Sequence, residues 1–138
     1  MPISAPAAAK KYHKDGCNMS LTIQELMEIQ QALQEKYKGI WEGDTPETAK
    51  NHLLYAVEEI GEVSAILKKR TAQAVVDDPA VRARFCEEMA DVLMYLTDVM
   101  LCCSVTAEEF EQAYRKKAEH NLKRDFVSEH KHYLEEKK

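Results

Sequence analysis

The sequence predicts an all-α fold, a bundle of four to five helices, and three observations carry that prediction. Only 7% of the 138 residues are aromatic, and Gly and Pro number four each, a composition that favours helices over sheet. Helix-start devices recur along the chain: Thr22 with Glu25, Thr45-Pro46-Glu47, Asp78-Pro79, and Thr106 with Glu109. Between them apolar residues return every three or four positions, the period of a helix with one buried face. The length suits one domain with a modest core.

In chain order, residues 1–19 mix Pro, Ala, Lys, Gly and Asn without periodicity and read as a flexible arm, with Lys10, Lys11 and Lys14 solvated on it. The first helix opens at the Thr22/Glu25 capping box and runs to about Lys38, before Gly39, with Ile23, Leu26, Met27, Leu33 and Tyr37 on its apolar stripe. The connector Gly39-Ile40-Trp41-Glu42-Gly43-Asp44 holds the only tryptophan, which either plugs the helix ends or offers a stacking surface to a base. The second helix takes Thr45 as N-cap and Pro46 as its first residue. Its expected core stripe is Leu53, Val57, Ile60, Ser64 and Leu67, and Lys68-Lys69-Arg70 suit the dipole at its end.

A connector from Thr71 to Asp77 leads to a third helix started by Asp78-Pro79 and lined by Phe85, Met89, Val92, Leu93, Leu96, Val99 and Met100. The fourth runs from Thr106 through Phe110, Tyr114 and Ala118 toward Phe126. Lys117, Asn121 and Arg124 recur on it at i, i+4 and i+7, two cations and an amide on one stripe suited to phosphate oxygens. A charged, weakly periodic tail occupies 128–138, so the helical domain is placed at 20–127.

The chemistry concentrates in Glu58-Glu59-Ile60-Gly61-Glu62, answered by Glu87-Glu88-Met89-Ala90-Asp91. Glu59/Glu62 and Glu88/Asp91 are i,i+3 pairs, each projecting from one side of its helix. Both sit among apolar neighbours, where carboxylates either take up protons or hold a cation. A solvated acidic face is the bland alternative for one such pair; two pairs favour a divalent-metal site. Gly61, a helix-weakening residue by about 1 kcal/mol against alanine, suggests close approach of a helix or ligand. Asp98 shares a face with Glu88, Asp91 and Tyr95, although a surface position is the simpler expectation for it.

Other classes are disfavoured. A net charge of −5 argues against binding a nucleic-acid polymer by phosphate neutralisation. Cys17, Cys86, Cys102 and Cys103 show no CxxC spacing, and the last three read as small core residues of a reducing cytoplasm. No run approaches the roughly 18 apolar residues of a membrane span, so a cytoplasmic location without a membrane is expected. A ferritin-like metal bundle would add Glu-x-x-His motifs, and His52 and His120 stand far from the acid pairs in sequence. A non-catalytic metal-binding or structural bundle is the alternative to an enzyme.

Glu58-Glu59-x-x-Glu62, a spacer from 63 to 87, and Glu88-x-x-Asp91 resemble the EExxE…ExxD signature of the MazG-like all-α nucleoside triphosphate pyrophosphohydrolases, single-domain branch. The similarity extends to Val92-Leu93-Met94-Tyr95, to Asn51 ahead of the motif and to Lys117…Asn121…Arg124, covering roughly residues 20–126. The resemblance implies Mg²⁺-dependent hydrolysis (Mn²⁺ as the alternative ion) of a (deoxy)nucleoside triphosphate at the α-phosphorus, to monophosphate and pyrophosphate, in clearing unwanted nucleotides. It implies Glu59, Glu62, Glu88 and Asp91 as metal ligands, with Glu58 a further ligand or the base that orients water. Tyr95, Lys117, Asn121 and Arg124 would hold phosphates or sugar, and Trp41 and Asn51 would face the substrate. The nucleobase is left open. Apolar residues beyond one narrow stripe per helix lead to the expectation of a homodimer or homotetramer.

Overall fold

The protein, seen in a computed structural model, is described over residues 20–136; the arm at 1–19 lies outside the described residues. These residues form six helices and no strand: α1 (Ile23–Lys36), α2 (Ala49–Arg70), α3 (Ala72–Asp77), α4 (Pro79–Cys102), α5 (Ala107–Lys123) and α6 (Phe126–Glu136). The all-α expectation holds. The chain divides into two units, one ending at Ala107 and the other starting at Glu108.

In the first unit α2 packs extensively on α4, and α1 and α3 also lie against α4. The start of α1 forms as the sequence requires: Thr22 accepts from the Glu25 N–H, and Glu25 accepts from the Thr22 N–H. Asp78 caps α4 by accepting from the Ala80 and Val81 N–H groups, with Pro79 at the first position, where no N–H is needed. Elsewhere the local signals were displaced. Thr45 and Pro46 belong to a turn closed by the Thr48 N–H to the Thr45 carbonyl, and α2 starts at Ala49. The Thr71–Asp77 connector winds into α3, capped by the Thr71 hydroxyl, with Thr71 at φ 73° between the two helices.

The largest departure concerns which faces are inside. Leu53, Val57, Ile60 and Leu67, expected as the core stripe of α2, are 40–56% exposed, while His52, Ala56 and Ile66 are buried. On α4 Met89 and Leu93 are 46% and 44% exposed, and Val81, Val92, Thr97, Asp98 and Cys102 are buried. Periodicity identified the apolar face correctly as apolar; it could not say that polar residues would occupy the inward face. Gly61 is likewise open: a Cβ built there meets nothing within 4 Å, so no close approach explains it within this chain. Of the cysteines expected inside, only Cys102 is buried, and Cys86 and Cys103 are exposed.

In the second unit α5 ends at Lys123, and the weakly periodic tail forms α6. Arg124 lies between the two helices, donates from Nε to Glu129 at 3.0 and 3.1 Å and pairs with it through Nη2 as well. Its guanidinium also covers the Phe126 ring at 4.5 Å.

Candidate functional site: a carboxylate trio and the cleft beside it

Glu59 on α2 and Glu88 and Asp91 on α4 converge, with one carboxylate oxygen of each lying within 4.8 Å of the others. The i,i+3 spacing on α4 and the extended α2–α4 contact bring them together. Burial pushes the Glu59 carboxyl above the usual carboxylate range, and the charges of Asp91 and Glu88 push it further. Glu88 receives partial compensation from Arg84, whose Nε stands 3.7 Å from it one turn earlier. Glu62 stands outside the trio. It still acts on the charge of Glu59, and it lines a separate groove of about 350 Å³ with Arg70, Asp78 and Arg84. Glu58 is exposed and its charge reaches Glu59 and Tyr55.

A cleft of about 380 Å³ adjoins the trio and has Glu59 and Asp91 in its lining. Trp41 and Tyr95 line it too. Trp41 is 43% exposed and stacks on Tyr37, ring centroids 4.4 Å apart, so Tyr37 holds the indole in place at the cleft edge. Tyr55 and Tyr95 lie 5.5 Å apart, and burial together with the Glu59 and Asp91 charges raises the Tyr95 hydroxyl pKa. Asn51 does not line the cleft. Its amide donates at 2.6 Å to Glu42, which also accepts from the Tyr55 hydroxyl, so Asn51 positions an acid of the wall.

Lys117 and Asn121 are exposed on α5 and Arg124 follows its end, all in the second unit. There Arg124 is engaged by Glu129, whose hydrogen bond raises the guanidinium pKa and is itself matched by a lowered Glu129 pKa.

Sequence reasoning passed over the floor of the cleft. Asp98 is 2% exposed, so the expectation of a surface carboxylate is corrected, and His52 is 3% exposed despite its distance in sequence from the second acid pair. Asp98 accepts from Gln30 at 3.0 Å and from Gln34 at 3.4 Å, and Gln34 donates also to Asp44 at 3.2 Å. Burial raises the pKa of both acids, that of Asp44 to about 6, with Asp98 adding to the rise at Asp44. A signal was present: His52 and Glu59 are seven apart on α2, and so are Asp91 and Asp98 on α4, two turns along the same face.

The trio offers oxygen donors only, the donor type that Mg²⁺ or Mn²⁺ takes, and its mutual repulsion is what a dication would relieve. No known protein family, curated protein or solved structure matches the chain. No single helix among the described residues is long and apolar enough to cross a membrane.

Proposed function

We propose that the cleft hydrolyses a nucleoside triphosphate at its α-phosphorus, releasing a nucleoside monophosphate and pyrophosphate. The observation that carries this reading is the convergence of Glu59, Glu88 and Asp91 beside a cleft walled by Trp41, Tyr55 and Tyr95. An aromatic wall suits a base, which stacks for roughly 1–3 kcal/mol, and an acid cluster suits the metal-complexed phosphates. The EExxE…ExxD pattern supports the same reaction.

Glu59, Glu88 and Asp91 would hold Mg²⁺, or Mn²⁺, which when bound supplies charge neutralisation for the phosphates and acidifies a coordinated water. Glu62 and Glu58, adjoining the trio but outside it, are the carboxylates available to complete that set and to orient the attacking water. The water oxygen bonds to the α-phosphorus, the bridging bond to the β-phosphate breaks, and the water proton passes to carboxylate. Tyr95, close to Glu59 and Asp91, keeps its hydroxyl proton and can donate it to substrate oxygen. Lys117, Asn121 and Arg124 are assigned to phosphate or sugar binding on the family resemblance, with release of Arg124 from Glu129 as a requirement of that role.

The exposed stripes of Leu53, Val57 and Ile60 on α2 and Met89, Leu93 and Leu96 on α4 support a homodimer, or a tetramer built from it. Half-burying such side chains is worth on the order of 1 kcal/mol each, enough together for stable association. Sedimentation at micromolar concentration should give a dimer or larger; a monomer removes that part of the reading. For the reaction, the chain is incubated with Mg²⁺ and each common ribo- and deoxyribonucleoside triphosphate, and pyrophosphate is assayed. Release from a subset of nucleotides, requiring the metal, is expected. No release from any of them rejects the enzyme and leaves a metal-binding or structural bundle.

A further inference from the structure

Below the cleft a second group of metal-ligating atoms lies between the Trp41 connector, α2 and α4. We propose that Asp44, His52 and Cys102 form a separate cation site of the carboxylate, imidazole and thiolate class, suited to zinc. The three donor atoms all lie within 4.8 Å of one another, and His52 and Cys102 are 3% and 1% exposed. Tetrahedral bonds of about 2.1 Å to N and O and about 2.3 Å to S place N and O roughly 3.4 Å apart, and S and O roughly 3.6 Å apart. The structure has His52 Nε2 at 3.4 Å from Asp44 Oδ1, and Cys102 Sγ at 3.9 Å from the same oxygen. The spacing already matches a tetrahedral edge to within a few tenths of an ångström.

The histidine supplies an independent observation. A neutral imidazole donates from one nitrogen and presents a lone pair at the other. Here Nε2 faces Asp44 and the Gly43 carbonyl, both at 3.4 Å, while Nδ1 faces Asp98 at 3.7 Å and is buried without a hydrogen-bond partner. Whichever nitrogen carries the proton, the other lone pair points at a carboxylate. A cation on Nε2 resolves the conflict: the proton then resides on Nδ1 and faces Asp98, the carboxylate–histidine–metal arrangement that orients a ligating ring. Gly43 or water can complete the fourth position.

A doubly protonated ring between Asp44 and Asp98 is the competing account. It gives no role to the thiol, whose Sγ is directed at the Asp44 oxygen and lies 3.6 Å from the Thr48 hydroxyl. Thiolate also separates this site from the trio, since sulfur favours zinc over magnesium, whereas an all-oxygen set suits magnesium or manganese. On binding, Cys102 loses its proton to solvent. The bound ion would tie the connector, and with it the Trp41 wall, to α2 and α4. The inference does not rest on the proposed hydrolysis.

The test uses the full chain, reduced with a non-chelating phosphine, in excess Mg²⁺ to occupy the trio. Co²⁺ titration is expected to give a thiolate-to-cobalt charge-transfer band saturating at one equivalent and removed by Zn²⁺. C102S should lose the band; C86S, C103S and D91N should keep it. A folded wild type with no band, or a band that survives in C102S, overturns the site in favour of the imidazolium. Should C102S fail to fold, X-ray absorption of the zinc-loaded wild type decides instead. One sulfur at about 2.3 Å among lighter donors supports the site; a shell with no sulfur, or with several, overturns it.

Discussion

Two clusters lie along the same α2–α4 seam, two helical turns apart. Glu59, Glu88 and Asp91 border an open cleft, offer only oxygens and have Arg84 as a loose partner at 3.7 Å. Asp44, His52, Asp98 and Cys102 sit at the floor, and two glutamines donate to their acids. The trio has unbalanced negative charge that water partly screens, which is what the proposed hydrolysis would need of an exchangeable ion. The floor is built from mixed donors fixed by hydrogen bonds, which suits a resident ion. Burial and donor type together set this difference: the carboxylates of the rim stay accessible to solvent, and those of the floor are held by hydrogen bonds.

Asp91→Asn is the sharpest way to break the comparison. Pyrophosphate release should fall by on the order of 10²–10³-fold, the size expected for loss of a group that stabilises developing charge, with helical circular dichroism unchanged. A rate like wild type removes the trio from catalysis. At the floor, Asp98→Ala should act on stability. It leaves the buried Gln30 amide without its acceptor and Gln34 with Asp44 alone, costing about 2 kcal/mol in urea unfolding; a loss below about 1 kcal/mol would mean the floor is not the scaffold described.

Gly61→Ala separates chain from assembly. Its Cβ would meet open space, so the substitution should add up to about 1 kcal/mol through helix propensity. A destabilised or dissociated variant instead shows another copy packed at that point, next to the trio.

Acid titration of the chelator-treated protein reports on the buried acids of the floor. The raised folded-state pKa values of Asp44, to about 6, and of Asp98 mean the folded chain holds protons that the unfolded chain has already lost. Stability should therefore fall as pH rises from about 4 to about 6, by on the order of 1 kcal/mol after allowing for solvent screening. Asp44→Asn should flatten that slope, read by urea midpoints across the window; an unchanged slope assigns it elsewhere. The smallest effect belongs to Arg84→Ala, which removes a 3.7 Å pair between an exposed guanidinium and the partly buried Glu88. Stability should stay within about 0.5 kcal/mol of wild type by thermal unfolding, and a larger loss would show that the trio depends on Arg84.

The sequence by itself determined the helical class, the starts of α1 and α4 and the pairing of Glu88 with Asp91 on one side of α4. These follow from interactions within one turn of a helix: a hydroxyl or carboxylate reaching a free N–H, a proline where no N–H is used, an i,i+3 spacing that puts two acids on one side. What only the tertiary structure decided was which face of α2 and α4 turns inward. Leu53, Val57 and Ile60 satisfied the apolar period yet remain half exposed, and His52, Thr97 and Asp98 went inside. Periodicity records that a helix has an apolar stripe and cannot say what the opposite stripe meets. Burial of Asp98 depended on Gln30 and Gln34, which lie more than sixty residues earlier in the chain. An isolated aspartate looks like a surface residue because the donors that make its burial affordable arrive only when α1 packs against α4.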